Sequence, residues 1–290
     1  MAVDSSPHAG EPVHARLLTG ADRALAVARL RPFAQRNLSL LDLVDPLRRE
    51  ARSQEWPAQV LGAFQGAELR GLASLRPSLL LESELDEVCL AALLPSIEAV
   101  ETGLVKSPRA VVDPLWEQLA ARGRRAAIDR LEHSLTLRPQ QLPAVPLAPG
   151  LIVRRAVPRD LEELVHAARA SLREEGRPDP FLGDPVGFRR WVQGRLARAR
   201  VVERDGRVAF VGYADVRRPE GWLVQGVYTW PEQRRRGIAR AGMAGIVREA
   251  GEAGADHVQL AVVEGNEAAV QLYRGLGFEG FDELRTILFV

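Results

Sequence analysis

Residues 224–239 read VQGVYTWPEQRRRGIA, and this stretch decides the fold of the second half of the chain. Its first six residues favour a strand, residues 230–233 break that strand at Pro231, and residues 234–239 open a helix. A helix that begins directly after a glycine turn points several backbone N–H groups at one spot, where the helix dipole adds partial positive charge. The stretch therefore predicts a strand, a turn and a helix whose start attracts a phosphate.

The residues of the turn strengthen this prediction. Gly237 has no Cβ and Ala239 is small, so the backbone can come close to a diphosphate. Four guanidinium groups surround the turn, and they belong to Arg234, Arg235, Arg236 and Arg240. Short basic clusters also occur as solvated helix starts or nucleic-acid patches. Both alternatives stay open on these residues alone.

Residues 266–278 read NEAAVQLYRGLGF and form a second informative stretch. Asn266 stands where a helix N-cap is expected, and Gly277 can end the helix in the left-handed conformation. Apolar side chains follow Asn266 at helical spacing, namely those of Ala269, Leu272, Tyr273 and Leu276. On this pattern alone, Asn266 is only a cap and Tyr273 is a core aromatic residue.

Together, the two stretches resemble the GNAT superfamily of acyl-CoA-dependent N-acyltransferases. Residues 234–239 are similar to that family's Arg/Gln-x-x-Gly-x-Gly/Ala diphosphate motif. Residues 266–278 are similar to its Asn-x-x-Ala-x-x-x-Tyr-x-x-x-Gly-Phe signature. The order of the two motifs, their spacing and the β-prone run 258–262 between them make the resemblance specific, and it covers about residues 150–290.

The resemblance implies an N-acetyltransferase that moves an acetyl group from acetyl-CoA to a primary amine of a small molecule or a protein. The amine would attack the thioester directly in a ternary complex, and no metal is expected. The implied cofactor-binding residues are Val227, Tyr228 and Thr229 for the pantetheine arm, Arg234, Arg235, Arg236, Gly237, Ile238, Ala239 and Arg240 for the diphosphate, Asn266 for the arm, and Tyr273 beside the sulfur. Tyr273 is also the implied catalytic proton donor to the departing thiolate.

The chain departs from the family pattern at the general base. Many family members carry a carboxylate on the strand before the diphosphate turn, whereas residues 222–229 contain no Asp or Glu. Asp215, Glu220, Glu264 or a water molecule could take the proton from the amine. A non-catalytic acyl-CoA sensor is therefore the alternative function, and the acceptor amine and the choice between acetyl and longer acyl donors stay open.

Composition excludes several other classes of protein. The chain has 290 residues, of which 46% are hydrophobic and 27% are charged, so it can bury sizeable cores and is not disordered. A net charge of +1 and a single cysteine, Cys89, argue against a nucleic-acid partner and an intrachain disulfide. No apolar run is long enough for a membrane span. We expect a soluble cytoplasmic protein without a membrane partner, and a homodimer stays open.

The domain organisation follows from a proline-rich segment. Residues 139–150 contain four prolines, which favours an extended linker. We predict an unstructured N-terminus over residues 1–14, a degenerate acetyltransferase-like domain over 15–138, the linker over 139–150 and a GNAT catalytic domain over 151–290. The predicted fold class is α/β (α+β), and the chain is expected to contain two tandem GNAT-like domains. Each would have a mixed, mostly antiparallel central sheet flanked by helices.

The N-terminal domain is expected to bind no cofactor. Its predicted helices cover residues 22–31, 38–52, 89–99 and 110–122, and its strands cover 59–64, 69–76, 79–82, 100–104 and 126–137. At the place of the diphosphate turn, however, residues 82–88 are acidic and lack glycine. An acidic helix start repels a diphosphate. This half resembles the degenerate domain that precedes the GNAT domain in some bacterial proteins.

The catalytic domain has a simpler predicted order. Strands are expected over residues 151–156, 200–203, 208–216, 222–229, 258–262 and 284–289, with helices over 160–173 and 185–197 and the two motif helices. Asp205-Gly206 predicts a tight hairpin turn between the second and third of these strands.

Overall fold

A computed structural model describes residues 11–48, 58–181 and 183–290. The chain divides into two compact units. One contains the described residues up to His133 together with Asp282–Val290, and the other is Ser134–Phe281. Two long strands, β6 (Ala126–Leu137) and β12 (Glu279–Phe289), each contribute residues to both units. The division into units does not test the domain limits derived from the sequence, which remain a prediction.

The first unit contains the first ten regular elements. They are β1 (Val13–Leu17), α1 (Arg23–Leu30), α2 (Ala34–Val44), β2 (Gln59–Gln65), β3 (Glu68–Arg76), β4 (Leu80–Leu81), α3 (Glu87–Glu98), β5 (Gly103–Pro108), α4 (Arg109–Ala121) and the first part of β6. Strands β1 to β4 form an antiparallel sheet in that order. The end of β12 pairs antiparallel with β5, from Leu284 opposite Pro108 to Phe289 opposite Gly103.

The C-terminal residues complete the core of this first unit. Ile287 and Phe289 are buried against Leu115 of α4 and Leu93 of α3. The strand predicted over 284–289 is therefore present, and it pairs in the first unit rather than in the second.

The second unit contains β7 (Leu151–Arg155), α5 (Leu161–Glu174), α6 (Pro185–Gly194), β8 (Ala199–Arg204), β9 (Arg207–Arg218), β10 (Gly221–Thr229), α7 (Ile238–Glu252), β11 (Val258–Val263) and α8 (Glu267–Gly275). The strand order is β6-β11-β10-β9-β8-β7. Strands β7 to β10 are antiparallel neighbours, and β10 is parallel to β11. This mixed, mostly antiparallel sheet confirms the predicted fold class.

Helices cover both faces of this sheet. Successive side chains of a strand point to opposite faces, and on β8 Val201 packs with α5 and α6 while Val202 packs with α7. Tyr273 and Leu276, from α8 and the residue after it, belong to the same core as α7. Within the described residues, no helix combines the length and the apolar composition needed to cross a membrane.

Most predicted elements agree with the structure within a few residues. Asp205 and Gly206 have φ angles of 51° and 77°, so they form the predicted hairpin turn. Strand β1 was not predicted, and it begins at Val13, inside the expected unstructured segment; residues 1–10 lie outside the described residues. The helix predicted over 38–52 begins earlier and ends at Val44, before a short 3-10 turn that contains Pro46. Its last predicted residues, 49–52, also lie outside the described residues.

Candidate functional site

The strand before the basic turn, β10, contains a β-bulge. Gln225 lies opposite Tyr213 of β9 and Tyr228 lies opposite Val211, so Gly226 and Val227 together face a single residue, Gly212. Gly226 adopts a φ of 58°, which a residue with a side chain rarely takes. Bulges bend a strand and occur often beside active sites. Here the bulge changes the direction of β10 just before Val227, Tyr228 and Thr229.

Strands β10 and β11 separate at the same level. Their parallel pairing joins Trp222 to Val258 and Leu223 to Gln259. β10 then continues to Thr229 and β11 to Val263, with no further pairing between the two in the described part of the chain. A gap between two parallel strands leaves backbone N–H and C=O groups available to an extended ligand. The gap thus lies along the predicted pantetheine-binding residues.

The basic turn leads directly into α7. A short 3-10 turn covers Pro231–Gln233, and Gly237 is the N-cap of α7 with a φ of 73° and no side-chain cap. Ile238 is buried in the core and fixes the start of the helix. A Cβ at Gly237 would meet no atom within 4 Å, so the space beside it is open. The first-turn N–H groups of a helix lack intrahelical acceptors, so this start suits an anion.

The four arginines of the turn divide into two groups. Arg234 is held by other side chains and by the backbone: its Nη2 lies 2.8 Å and 2.7 Å from the two carboxylate oxygens of Glu174, and its Nε donates to the Thr229 carbonyl oxygen at 3.0 Å. Arg235, Arg236 and Arg240 form no ion pair within the described ranges. These three guanidinium groups, rather than all four, are available to an anion.

The structure brings the start of α7 close to the end of α8. A Cβ placed on Gly275 would lie 3.1 Å from Nη1 of Arg240. Ala239 packs against the core that contains Tyr273. The two sequence motifs, about thirty residues apart, therefore meet in space.

Asn266 caps α8 as its sequence position predicts. Its side-chain oxygen accepts a hydrogen bond from the Ala269 N–H at 3.2 Å, and the residue is exposed. The cap hydrogen bond uses one lone pair of the amide oxygen. The Asn266 amide N–H₂ is thus available for the predicted contact with a ligand.

Tyr273 is a core residue by its surroundings. It is 5% exposed, and its ring meets Phe278 edge-on at a centroid distance of 5.7 Å. Its hydroxyl has no hydrogen-bond partner among the described residues. Burial raises the pKa of Tyr273 above the ordinary tyrosine value, so the hydroxyl stays protonated at neutral pH and can donate its proton or a hydrogen bond.

The three candidate bases have different surroundings. Both oxygens of Asp215 are engaged by the Arg195 guanidinium, one of them at 3.2 Å from Nε. Glu220 lies 3.2 Å from Nε of Arg218. Glu264 is exposed in the turn after β11. Asp215 is therefore a poor acceptor for a substrate proton, whereas Glu264 forms no ion pair within the described residues.

A cavity that sequence reasoning missed lies beside the end of β10. Its volume is about 680 Å³, and α5, the start of β9 and the residues after β10 line it. Tyr228 and Trp230 form an aromatic wall, and four glutamates face two arginines around it. No short motif marks this site, since its lining comes from three separate segments. No group of three or more His, Cys, Asp or Glu side chains is arranged to hold a metal ion in the described part of the chain.

Comparison with known proteins agrees with this architecture. Residues 161–278 match the family model described as acetyltransferase (GNAT) family. No curated protein matches the chain in sequence. Among solved structures, a Drosophila protein is 14% identical with a TM-score of 0.69, and the alignment covers 96% of this chain and 99% of that protein.

Two further structures carry informative descriptions. A GCN5-related N-acetyltransferase from Sphaerobacter thermophilus is 19% identical, with a TM-score of 0.63 and 96% coverage of each chain. A tandem GNAT protein from the clavulanic acid biosynthesis pathway is 14% identical with a TM-score of 0.56, covering 94% of this chain and 98% of that one. At these identities the similarity concerns the fold, and it confirms the predicted tandem architecture. The bulged strand and the open helix start thus lie within residues 161–278, the part of the chain that matches the GNAT family of acetyltransferases.

Proposed function

We propose that this protein is an N-acetyltransferase that moves the acetyl group of acetyl-CoA to a primary amine of a small molecule or a protein. The main observation in its support is the start of α7, which follows a strand that separates from its neighbour. Its first-turn amides are open, and Arg235, Arg236 and Arg240 form no ion pair within the part of the chain that the structure describes. A coenzyme A molecule needs both features, because its diphosphate is an anion and its pantetheine arm is an extended chain with amide groups.

The residues then take the following roles. The N–H groups around Gly237, Ile238 and Ala239 hold the diphosphate, and the three unpaired arginines balance its charge. Val227, Tyr228 and Thr229 offer backbone groups to the pantetheine arm in the manner of an added strand. The Asn266 side chain contacts the same arm. This arrangement directs the thioester towards the bulge at Gly226 and towards Tyr273.

The chemistry is an acyl transfer in a ternary complex. The amine first loses a proton to water or to a carboxylate such as Glu264, and its nitrogen then attacks the thioester carbonyl carbon. As the new C–N bond forms and the C–S bond breaks, Tyr273 donates its hydroxyl hydrogen towards the sulfur. Because burial raises the pKa of Tyr273, full transfer leaves an unfavourable phenolate unless the proton released by the nitrogen replaces the one donated. Hydrogen-bond donation to the developing thiolate is thus the main contribution of this hydroxyl.

An acyl-CoA sensor without turnover is the second candidate, and a specific observation favours it. β10 carries no carboxylate, and the nearby Asp215 is held by Arg195. Continuous measurement of coenzyme A release separates the two functions, with a panel of small amines and amino-terminal peptides as acceptors and with acetyl-CoA and longer acyl-CoA as donors. An enzyme accelerates release with at least one amine. Tight binding of acetyl-CoA with no release above the buffer rate for every acceptor would support the sensor.

The expected cytoplasmic location and the absence of nucleic-acid and membrane partners stay predictions. The same holds for the choice between a monomer and a homodimer. Sedimentation of the purified chain with and without acetyl-CoA would decide the oligomeric state.

A further inference from the structure

Arg234 belongs to the family's diphosphate motif, yet its side chain is directed elsewhere. Nη2 contacts both oxygens of Glu174 at 2.8 Å and 2.7 Å, and Nε donates to the backbone oxygen of Thr229 at 3.0 Å. The guanidinium also lies 5.6 Å from the ring centroid of Tyr228. Three contacts in different directions leave little freedom to turn towards a diphosphate.

Glu174 occupies an unfavourable position unless it has a cationic partner. It is the last residue of α5, where the helix dipole is negative and a carboxylate is disfavoured. Besides Arg234, the Tyr228 hydroxyl donates to Glu174 Oε1 at 3.2 Å. One carboxylate therefore joins the end of α5, the end of β10 and the beginning of the basic turn.

The turn that follows Arg234 needs such support. Arg235 has a φ of 62°, a left-handed conformation that is strained for a residue with a side chain. Gly237 follows with a φ of 73°. Two backbone hydrogen bonds hold the start of this segment: the Gln233 N–H donates to the Trp230 oxygen at 2.8 Å, and the Arg234 N–H donates to the Pro231 oxygen at 3.2 Å. A mobile turn would present its amides in many directions and would bind an anion less tightly.

We propose that Glu174 is a positioning residue for the anion site, and that it acts through Arg234. The Glu174–Arg234 pair holds the turn so that the amides before α7 and the guanidinium groups of Arg235 and Arg236 face the ligand. Arg234 itself then binds no phosphate. This inference rests on the proposed function, because the ligand is the diphosphate of coenzyme A.

The proposal predicts an effect opposite to simple electrostatics. Glu174 is a negative charge near a site for an anion, so its removal would by charge alone strengthen coenzyme A binding. If the pair orders the turn, its removal weakens binding instead. Glu232 supplies the matched control, because it lies two residues before Arg234, is exposed and forms no ion pair within the described ranges. Glu232→Gln therefore makes the same charge change without breaking the pair.

The experiment compares Glu174→Gln, Arg234→Gln, the double variant and Glu232→Gln in the full chain. Hydrogen exchange of residues 231–237 without ligand reports the order of the turn, and calorimetry with acetyl-CoA reports affinity. We expect exchange to be faster and affinity weaker by about 2- to 5-fold in each single variant, the range for a partly exposed ion pair. The double variant should bind acetyl-CoA at least as tightly as the weaker-binding of the two single variants. Glu232→Gln should bind acetyl-CoA as tightly as the wild type or slightly more tightly.

Two results would overturn the proposal. One is unchanged hydrogen exchange of residues 231–237 in Glu174→Gln. The other is that Glu174→Gln binds acetyl-CoA as tightly as Glu232→Gln does, or more tightly. If the wild type binds no acetyl-CoA, the proposed function fails, whereas the exchange measurement still decides whether Glu174 orders the turn.

Discussion

Substitution of Gly237 by valine tests the anion site most directly. The structure separates two consequences that usually coincide, the cost to the fold and the cost to binding. Gly237 has a φ of 73°, and a Cβ there would meet no protein atom within 4 Å. The fold therefore loses only the conformational energy of the left-handed backbone. The added side chain would project into open space beside the first turn of α7, which is the proposed site of the diphosphate.

The chain offers a matched control for the conformational cost. Gly254 follows the other end of α7, has a φ of 76°, and also has open space around an added Cβ. A left-handed conformation costs an ordinary residue about 1–2 kcal/mol, and a β-branched residue more. For a unit of this size each kilocalorie lowers Tm by about 2–4 °C, so both valine variants should lose at least that much and by similar amounts.

The two variants should differ sharply in binding. Each hydrogen bond from an amide to a charged oxygen contributes about 1.5–3 kcal/mol, so loss of two of them weakens acetyl-CoA binding by at least about 100-fold. Calorimetry should show this loss in Gly237→Val and wild-type affinity in Gly254→Val, with circular dichroism confirming that both are folded. Wild-type affinity in a folded Gly237→Val variant would refute the assignment of the diphosphate to this helix start.

Three further predictions concern catalysis and stability. Tyr273→Phe should keep acetyl-CoA affinity and stability but lower turnover by about 10- to 100-fold, the lower part of the range for general-acid catalysis. If the variant is fully active while the chemical step limits the rate, the role of Tyr273 is purely structural. Burial alone would raise the pKa of Glu132, but Lys106, Thr286 and Arg130 lower it from 4.5 to about 2. The lowered pKa corresponds to about 3 kcal/mol in the free energy of unfolding. This stability is present above about pH 4.5 and is lost as the pH falls towards 2, so urea unfolding of Glu132→Gln and wild type should converge there; a constant difference would contradict this. Deletion of residues 282–290 should lower the urea concentration at which the first unit unfolds, because the deletion exposes β5. An unchanged unfolding midpoint of the first unit would argue against the pairing of β12 with β5.

The pattern of local sequence predicted most of the fold. Asp205-Gly206 identified its hairpin because both residues tolerate positive φ, and Asn266 identified the start of α8 because its side chain can accept from Ala269. Periodicity likewise identified the side of α8 that faces the core, including Tyr273. These features depend on residues near one another in the chain, so a local pattern contains the information.

The sequence did not predict features that depend on partners far apart in the chain. Arg234 reads as a phosphate ligand until Glu174, sixty residues earlier, is known to lie beside it. Asp215 reads as a candidate base until Arg195 is seen to hold both its oxygens. The C-terminal strand reads as part of the catalytic domain, but its pairing with β5 depends on contacts across most of the chain. Charged side chains are the hardest to assign, because their role is decided by the nearest opposite charge.

The two units show that the order of elements alone does not produce an anion site. In each, a strand leads through a turn into a helix, α3 in the first and α7 in the second. The N-cap of α3 is Asp86, whose carboxylate already accepts from the Cys89 N–H at 2.7 Å, and Glu87 follows it. A carboxylate there both occupies the first-turn amides and repels a diphosphate. At α7 the corresponding position is Gly237, which supplies no side-chain acceptor and leaves the amides open. The proposed function therefore assigns coenzyme A to the start of α7, where the N-cap residue leaves the first-turn amides open.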